Sequence, residues 1–318
     1  MKKVVIAGGG VLGSQIAFQS AYCGFDVTIW LRSHGSIGRT QPKLDALRQS
    51  YIDAIKLMDS PEGSSNWCRG IADAENFNAA ECLNKVEEAY SGIKLELDMA
   101  KAASDSDIII ESVAENVKDK VAFYEALAPL MPAKTILCTN SSTLLPSTFA
   151  KYTGRPDKYL SLHFANSIWK NNTAEVMAQD QTSKESFDAV MAFANEIRMI
   201  ALPVNKEKNG YLLNSMLVPF LFSGLDLYVN GVSDPASIDK AWKYGTGAPR
   251  GPFEIFDVVG INTAYNIALQ YQKVPSLFSP LLRKMMMPYN FKGMIVVLKK
   301  MIDEGKLGKS AGEGFYKY

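Results

Sequence analysis

The sequence contains two histidines, and one of them stands where a proton acceptor could work. His163 lies near the end of an apolar run, residues 159–164, which reads as a strand. In a doubly wound sheet the carboxyl ends of the strands line the ligand crevice. An imidazole placed there can act as a general base, because its charge changes near neutral pH.

Glu175 follows His163 by twelve residues, within a second short apolar run at residues 175–178. A strand, a loop and a returning strand of this length would bring the carboxylate back to the imidazole. A carboxylate beside the ring fixes its tautomer and favours the protonated form, which supports a general base. A core histidine with a satisfied hydrogen bond explains the same residues, so both interpretations stay open on this pattern alone.

A glycine pattern near the start of the chain indicates a second kind of chemistry. G-x-G-x-x-G follows a strand-like run at residues 3–7 and opens a helical segment at residues 11–23. The first glycine permits a tight turn, the second lets the backbone approach a pyrophosphate, and the third allows close packing of helix on strand. A glycine-rich turn without a ligand is the alternative. The cofactor-binding residues predicted here are Gly8, Gly10, Val11, Leu12 and Gly13.

The residues after the second strand bear on which dinucleotide is bound. An NAD site usually carries Asp or Glu there, hydrogen-bonded to the ribose 2′-hydroxyl. Leu31 stands at this position, and Arg32 and Ser33 follow. The guanidinium of Arg32 matches a 2′-phosphate, and Ser33 could add a hydrogen bond. We therefore expect NADP(H) to be favoured over NAD(H); an ordinary solvent-facing loop arginine is the alternative.

Alternating strand and helix patterns continue to about residue 204. Further strands are predicted at 26–31, 107–112, 135–139 and 200–203, and helices at 43–58, 79–90 and 118–130. Residues 59–72 are rich in Ser, Gly and Asn, and we expect a loop there. This alternation predicts a Rossmann-type, doubly wound, mainly parallel sheet covered by helices on both faces.

Strand patterns largely vanish after residue 209. Residues 210–229 form a long apolar segment of helical length, and residues 295–303 resemble another helix. A short polar connector at 204–208 separates the two patterns. The sequence therefore predicts an α/β dinucleotide-binding domain over residues 1–204 and an all-α substrate and dimerisation domain over residues 205–318.

Composition limits the kinds of partner. The 318 residues are 47% hydrophobic and 21% charged, with a formal net charge of +1 and no basic block, so neither nucleic acid nor a membrane partner is indicated. No apolar run is long enough to cross a bilayer, and the chain starts directly with a strand-like run, so we expect a cytoplasmic protein. The four cysteines form no C-x-x-C pair, which favours a reduced compartment and no metal site.

Several sequence blocks resemble the L-3-hydroxyacyl-CoA dehydrogenase family, and together they span nearly the whole chain. The blocks in the first part are VIAGGGVLGS (5–14), IESVAENVKDK (110–120), TNSSTL (139–144), LHF (162–164) and AEV (174–176). Those in the second part are NSMLVP (214–219), GTGAPRGPFEIFD (245–257), GKLG (305–308) and GFYKY (314–318).

The resemblance implies a role for each matching residue. His163 would take the hydroxyl proton while C3 of the substrate gives hydride to the nicotinamide, and Glu175 would orient His163 and balance its charge. Ser142 would hydrogen-bond the reacting oxygen, and Asn214 would hold that oxygen or His163; a turn serine and an exposed helix residue are the alternatives. The cofactor residues implied are Glu115 and Lys120, near the nicotinamide ribose, and Asn140.

The sequence departs from the family pattern beside the substrate. Ala-Asn-Ser at 165–167 replaces an Asn-Pro pair after His-Phe, and Asn-Gly-Tyr at 209–211 replaces Pro-Gly-Phe. Residues 43–58 form the helix where the family meets coenzyme A, and their basic residues are balanced by acidic ones. These basic residues are Lys43, Arg48 and Lys56, and the acidic ones are Asp45 and Asp53.

Three functions follow from the resemblance and its departures. The first is a 3-hydroxyacyl-CoA dehydrogenase that acts on a CoA thioester. The second is a diketoreductase-like enzyme that reduces free 3-oxo or 3,5-dioxo compounds. The third is a non-catalytic, crystallin-like dinucleotide-binding protein, which the intact set of catalytic residues argues against. The family also implies a homodimer through the helical domain.

Overall fold

The computed structural model describes residues 1–272 and 289–318 and divides the chain into two compact units. The first unit is Met1–Leu212 and the second is Leu213–Tyr318. The first unit thus continues through the polar connector at residues 204–208 and includes the segment that follows it.

An eight-stranded sheet forms the centre of the first unit. Its strands are β1 (Lys3–Ala7), β2 (Asp26–Trp30), β3 (Lys94–Glu96), β4 (Ile108–Glu111), β5 (Ile136–Thr139), β6 (Tyr159–Phe164), β7 (Thr173–Met177) and β8 (Ile200–Val204). Their order is β3-β2-β1-β4-β5-β6-β7-β8, and every neighbouring pair is parallel except β6 with β7. The predicted Rossmann-type, mainly parallel sheet is confirmed.

Helices cover both faces of this sheet. They are α1 (Val11–Tyr22), α2 (His34–Met58), α3 (Ala79–Gly92), α4 (Met99–Ala103), α5 (Val117–Leu127) and α6 (Lys184–Glu196). Alternate residues of β1 enter different hydrophobic clusters: Val4 and Ile6 belong to one, and Val5 and Ala7 to the other. Because successive side chains of a strand point to opposite faces, a strand buried on both faces must be apolar at every position.

Two elements of the first unit differ from the sequence prediction. Helix α2 begins at His34, nine residues before the predicted start at Lys43. Two glycines and Pro42 make this first part a weak helix former, but the buried Thr40 anchors it by donating to the carbonyl oxygen of Gly9 over 3.2 Å. Strand β3 was missed, because three residues at a sheet edge carry too little apolar pattern.

The second unit is helical in its described part. It contains α7 (Leu213–Val229), α8 (Pro235–Thr246), α9 (Pro252–Val259), α10 (Ile261–Gln272) and α11 (Phe291–Asp303). The predicted all-α domain is confirmed for these residues. Helix α11 begins four residues before the predicted start at residue 295, because the side chain of Asn290 caps it by accepting from the N–H of Gly293 over 3.0 Å.

Two buried carboxylates of the second unit bind the segment at its C-terminus. Asp257 accepts the N–H groups of Phe315 at 2.7 Å and Tyr316 at 2.9 Å. Asp239 accepts the N–H of Phe253 at 2.9 Å and the hydroxyl of Tyr316 at 2.8 Å. These bonds tie the C-terminal segment to α8 and α9. The sequence blocks at residues 245–257 and 314–318 therefore have a structural role within the unit.

Candidate active site

The antiparallel pairing of β6 and β7 brings an imidazole and a carboxylate together. His163 and Glu175 are direct cross-strand partners in this pair. Their side chains meet with 2.9 Å between His163 Nδ1 and Glu175 Oε2, and they are only 5% and 3% exposed. The return strand inferred from the twelve-residue spacing is present, and the register places both side chains on the same face of the sheet.

Ser142 lies at the other nitrogen of the same ring. It belongs to the turn after β5, and its Oγ is 3.3 Å from His163 Nε2. An ionised carboxylate only accepts hydrogen bonds, so the contact with Glu175 assigns a proton to Nδ1 of His163. Nε2 is then the acceptor nitrogen, and it faces the serine hydroxyl at hydrogen-bond distance. This arrangement suits a base that takes a proton from an oxygen near Ser142.

The segment at residues 210–212 completes the surroundings of His163. The ring of Tyr211 lies 4.4 Å from the imidazole, centroid to centroid, with 10° between the planes. The N–H of Leu212 donates to Glu175 Oε1 over 2.8 Å. Both carboxylate oxygens of Glu175 therefore have partners, which holds the carboxylate in one orientation. Sequence reasoning noted the Asn-Gly-Tyr departure here but did not single out Tyr211.

Glu115 supports the turn that carries Ser142. Its carboxylate accepts from the hydroxyl of Ser141 and from the N–H and hydroxyl of Thr143, at 3.1 and 2.9 Å. Partial burial opposes ionisation, but the hydrogen bond from Ser141, the charge of Lys120 and the bonds from Thr143 together hold the pKa of Glu115 below its usual value. Glu115 is therefore an anion that fixes residues 141–143.

Lys120 reaches this turn from the interior. It is 1% exposed and forms an ion pair of 2.6 Å with the fully buried Glu111, while its Nζ lies 3.4 Å from Glu115. Glu111 also accepts from the hydroxyls of Tyr124 at 2.7 Å and Thr139 at 2.8 Å. Lys120 thus contacts Glu115 from the interior of the unit. Glu111 was missed, since a glutamate in an apolar strand shows its partners only in three dimensions.

Asn140 connects the ends of three neighbouring strands. Its amide donates to Ser112 Oγ, after β4, over 3.4 Å, and its carbonyl oxygen accepts the N–H of Phe164, at the end of β6, over 3.3 Å. Asn140 itself follows β5. It therefore stabilises the strand ends that face the predicted cofactor crevice.

The glycine loop has the shape that a pyrophosphate requires. Gly8 has φ +118°, a conformation that L side chains rarely adopt, and a Cβ on Gly13 would lie 2.2 Å from the carbonyl oxygen of Gly8. A Cβ on Gly10 would meet no atom within 4 Å. Gly10 caps α1 without a side-chain hydrogen bond, and the first N–H groups of a helix have no partner within the helix. These residues fit the phosphates of a dinucleotide, with the exposed Val11 and half-buried Leu12 beside them.

The end of β2 separates a core residue from two exposed ones. Leu31 is 2% exposed and packs in the hydrophobic core, whereas Arg32 and Ser33 are exposed just before α2. Glu96, at the end of the neighbouring β3, is already bound to Lys101 at 2.6 Å. Leu31 therefore offers no acceptor to a ribose hydroxyl, and the other carboxylate oxygen of Glu96 already accepts the N–H groups of Leu97 and Asp98.

Asn214 belongs to the second unit, where it occupies the first turn of α7 and is half-buried. Its predicted role toward the reacting oxygen stays a prediction. In the part of the chain that the structure describes, no three His, Cys, Asp or Glu side chains gather as metal ligands. The described helices also include none with the length and apolar character needed to span a membrane.

Comparison with protein families identifies both units. Residues 3–208 match the NAD binding domain of 3-hydroxyacyl-CoA dehydrogenase, and residues 210–318 match the C-terminal domain of the same enzyme. These matches define an oxidoreductase with a dinucleotide-binding domain. The chain belongs to the 3-hydroxyacyl-CoA dehydrogenase family, as the sequence blocks indicated.

Individual relatives cover almost the entire chain. Human mitochondrial hydroxyacyl-coenzyme A dehydrogenase is 29% identical over 100% of this chain and 91% of its own length. The 3-hydroxybutyryl-CoA dehydrogenase of Clostridioides difficile is 28% identical over 99% of both chains. A solved structure of a diketoreductase, concerned with catalysis of dicarbonyl compounds, is 42% identical with a TM-score of 0.81 and covers 100% of this chain and 99% of its own.

Proposed function

We propose that this protein transfers a hydride between a nicotinamide cofactor and the C3 carbon of a short 3-hydroxyacyl or 3-oxoacyl substrate, in the first instance a CoA thioester. The observation that carries the proposal is the buried His163, with Nδ1 on Glu175 and Nε2 facing Ser142. The 3-hydroxybutyryl-CoA dehydrogenase relative supports the substrate class. Such an enzyme would take part in fatty-acid metabolism.

The residues of this chain account for the proton that must move with the hydride. The bound nicotinamide supplies the hydride acceptor in oxidation and the hydride donor in reduction. In oxidation, Nε2 of His163 accepts the proton of the C3 hydroxyl, and the carboxylate of Glu175 balances the charge that forms. Ser142 donates a hydrogen bond to the reacting oxygen, and Asn214 is proposed to hold the same oxygen. In reduction, His163 returns the proton to that oxygen.

For the cofactor we propose a preference for NADPH, determined by Arg32. Leu31 is buried and offers no carboxylate to a 2′-hydroxyl, while Arg32 and Ser33 are exposed directly after β2. A guanidinium pairs with phosphate oxygens in a fixed fork geometry. The wild-type kcat/KM with NADPH and NADH tests this proposal, and a higher value with NADH would refute it.

A second substrate class has independent support. The diketoreductase of 42% identity is much more similar to this chain than the CoA-dependent relatives named above. On α2, Arg48 is paired with Glu87 of α3 at 2.7 Å, so part of the basic charge of this helix is already neutralised. Both observations favour a free 3-oxo or 3,5-dioxo compound as the alternative substrate.

A substrate panel separates these classes. Acetoacetyl-CoA, free acetoacetate and a 3,5-dioxo ester are each assayed with NADH and with NADPH by the absorbance of the reduced nicotinamide. A much higher kcat/KM for acetoacetyl-CoA supports the thioester, and a higher value for the dioxo ester supports the alternative. No turnover with any of them, together with tight dinucleotide binding, would support the non-catalytic, crystallin-like role.

We also propose a homodimer formed through the second unit, in the cytoplasm. Large apolar side chains are exposed on this unit, and a partner subunit that covered them would remove them from water. They include Met216, Val232, Trp242, Tyr244 and Val258. Sedimentation velocity would give the mass, and a monomer at micromolar concentration would contradict the dimer.

The four free thiols suit a reducing compartment, which cell fractionation tests.

A further inference from the structure

Tyr211 occupies a position that is costly for its residue type. Its φ is +52°, in the left-handed region, and it follows Gly210 at φ +82°. A bulky residue in this region is uncommon and is retained only where its surroundings hold it in place. The side chain is also 2% exposed. The strained backbone therefore directs a buried aromatic ring toward one particular place.

That place lies between the base and the serine turn. The Tyr211 ring stacks flat on the imidazole of His163, at 4.4 Å and 10°. Its hydroxyl donates to the main-chain carbonyl oxygen of Ser141 over 2.7 Å. Ser141 directly precedes Ser142, whose Oγ faces His163 Nε2 at 3.3 Å. One side chain thus touches the base and fixes the turn that carries its hydroxyl partner.

We propose that Tyr211 is a positioning residue. Its ring fixes the orientation of the His163 imidazole, and its hydroxyl sets the distance between Nε2 of His163 and Oγ of Ser142. This inference rests on the proposed function, since it assumes that His163 is the base. It extends that function to a residue that neither the sequence pattern nor the comparisons single out. The replacement of the family's Pro-Gly-Phe by Asn-Gly-Tyr at residues 209–211 adds the hydroxyl on which the second contact depends.

Each half of the side chain has its own effect. The flat ring blocks rotation of the imidazole, and its electron-rich face attracts the imidazolium that forms when His163 takes a proton. The hydroxyl holds the Ser141 carbonyl from one side while Glu115 holds the Ser141 side chain from the other. Burial raises the pKa of Tyr211, so the hydroxyl remains a donor throughout the working pH range.

Two variants separate these effects. Tyr211→Phe keeps the ring and removes the hydroxyl, whereas Tyr211→Leu also removes the aromatic face. Tyr22→Phe is the matched control, because Tyr22 is likewise buried and donates to a main-chain carbonyl, that of Ile71, over 3.3 Å. Circular dichroism, thermal unfolding and titration with NADH, followed by its fluorescence, check that each variant folds and binds cofactor.

We expect Tyr211→Phe to lower kcat about 5- to 10-fold, as for the loss of one hydrogen bond, with KM and the pH–rate profile unchanged. Tyr211→Leu lowers kcat further. It also moves the acidic limb of the profile for oxidation about half a unit to lower pH, because the imidazolium loses its aromatic neighbour. Tyr22→Phe leaves both unchanged. Equal losses of kcat in Tyr211→Phe and Tyr22→Phe, or an unmoved limb in Tyr211→Leu, would overturn the proposal.

A measurement without turnover keeps this test distinct from the proposed function. The chain has only two histidines, so NMR spectra of the imidazole protons resolve His163 from the exposed His34. In Tyr211→Leu the ring proton signals of His163 should move downfield, because the stacked ring of Tyr211 no longer shields them, while those of His34 stay constant. If the wild type turns over none of the panel substrates, the proposed function fails while this contact remains testable. Unchanged His163 signals would refute the contact itself.

Discussion

Two regions of the first unit differ in how deeply their functional side chains are buried. At the proton-transfer end, β6 and β7 hold His163 and Glu175 almost wholly buried, with each donor and acceptor at a short distance. At the adenosine end, after β2, Arg32 and Ser33 are exposed. Both ends belong to the same sheet and follow strands of similar length.

The difference shows where each kind of specificity can arise. At the buried end, strand register fixes the geometry and a low local dielectric strengthens each polar contact, so a single change should remove most of the activity. At the exposed end, water and salt screen the charges, so a change there should alter the choice of cofactor while leaving the chemistry intact.

The largest effect is expected from removing the base. His163→Gln should lower kcat about 100-fold or more, because a positioned proton acceptor is lost. Binding of the reduced cofactor should survive, since the glycine loop is untouched. Steady-state kinetics and a fluorescence titration measure both. Near-normal turnover in the purified variant would show that His163 is not the base. The buried region would then be no more sensitive to mutation than the exposed one.

A comparison of two lysines tests the same contrast through stability. Lys120→Met leaves the buried Glu111 without its ion-pair partner and should lower the free energy of unfolding by about 3–5 kcal/mol. Lys94→Met is the control, because the pair of Lys94 with Asp26 is exposed to solvent and contributes little. Urea unfolding of the whole chain measures both. Similar urea midpoints for the two variants would show that burial does not determine how much these ion pairs contribute to stability.

Glu175→Gln sharpens the comparison within the buried end. The amide can accept from Leu212 or face His163 Nδ1, but it brings no negative charge, so we expect a loss of kcat of about 10- to 100-fold. Without the carboxylate the charge of the imidazolium is no longer balanced. The acidic limb of the oxidation profile should therefore move to lower pH. A profile identical to the wild type would mean that Glu175 acts only through packing.

The smallest effect on chemistry is expected at the exposed end. Arg32→Ala should weaken NADPH relative to NADH by about 10- to 100-fold, the range of one charge-assisted contact of about 1.5–3 kcal/mol. Activity at saturating cofactor should be close to that of the wild type. Lys56→Ala, in the last turn of α2, is the control. Equal losses for both cofactors would show that Arg32 contacts the adenine rather than a phosphate. Leu31→Asp is a poorer test, since Leu31 is buried in the core.

The sequence predicted the fold where the apolar pattern was strong. The strand at residues 159–164 has the predicted bounds, and the βαβ unit around the glycine loop differs by at most one residue at each end. Prediction failed where local propensity and tertiary packing disagree. The start of α2 is poor in helix formers and is held by Thr40 on the glycine loop, and β3 is too short to show a period.

The sequence by itself determined the family, the doubly wound sheet, the helical second unit and the residue types available for proton transfer. Each of these is recorded in local patterns of glycine spacing, apolar period and short motifs. Only the tertiary structure decided that Lys120 pairs with Glu111 and that Tyr211 joins His163 to the Ser142 turn. These contacts join residues that are distant in sequence or lie on different elements, and strand register and chain packing bring them together without leaving a local signal.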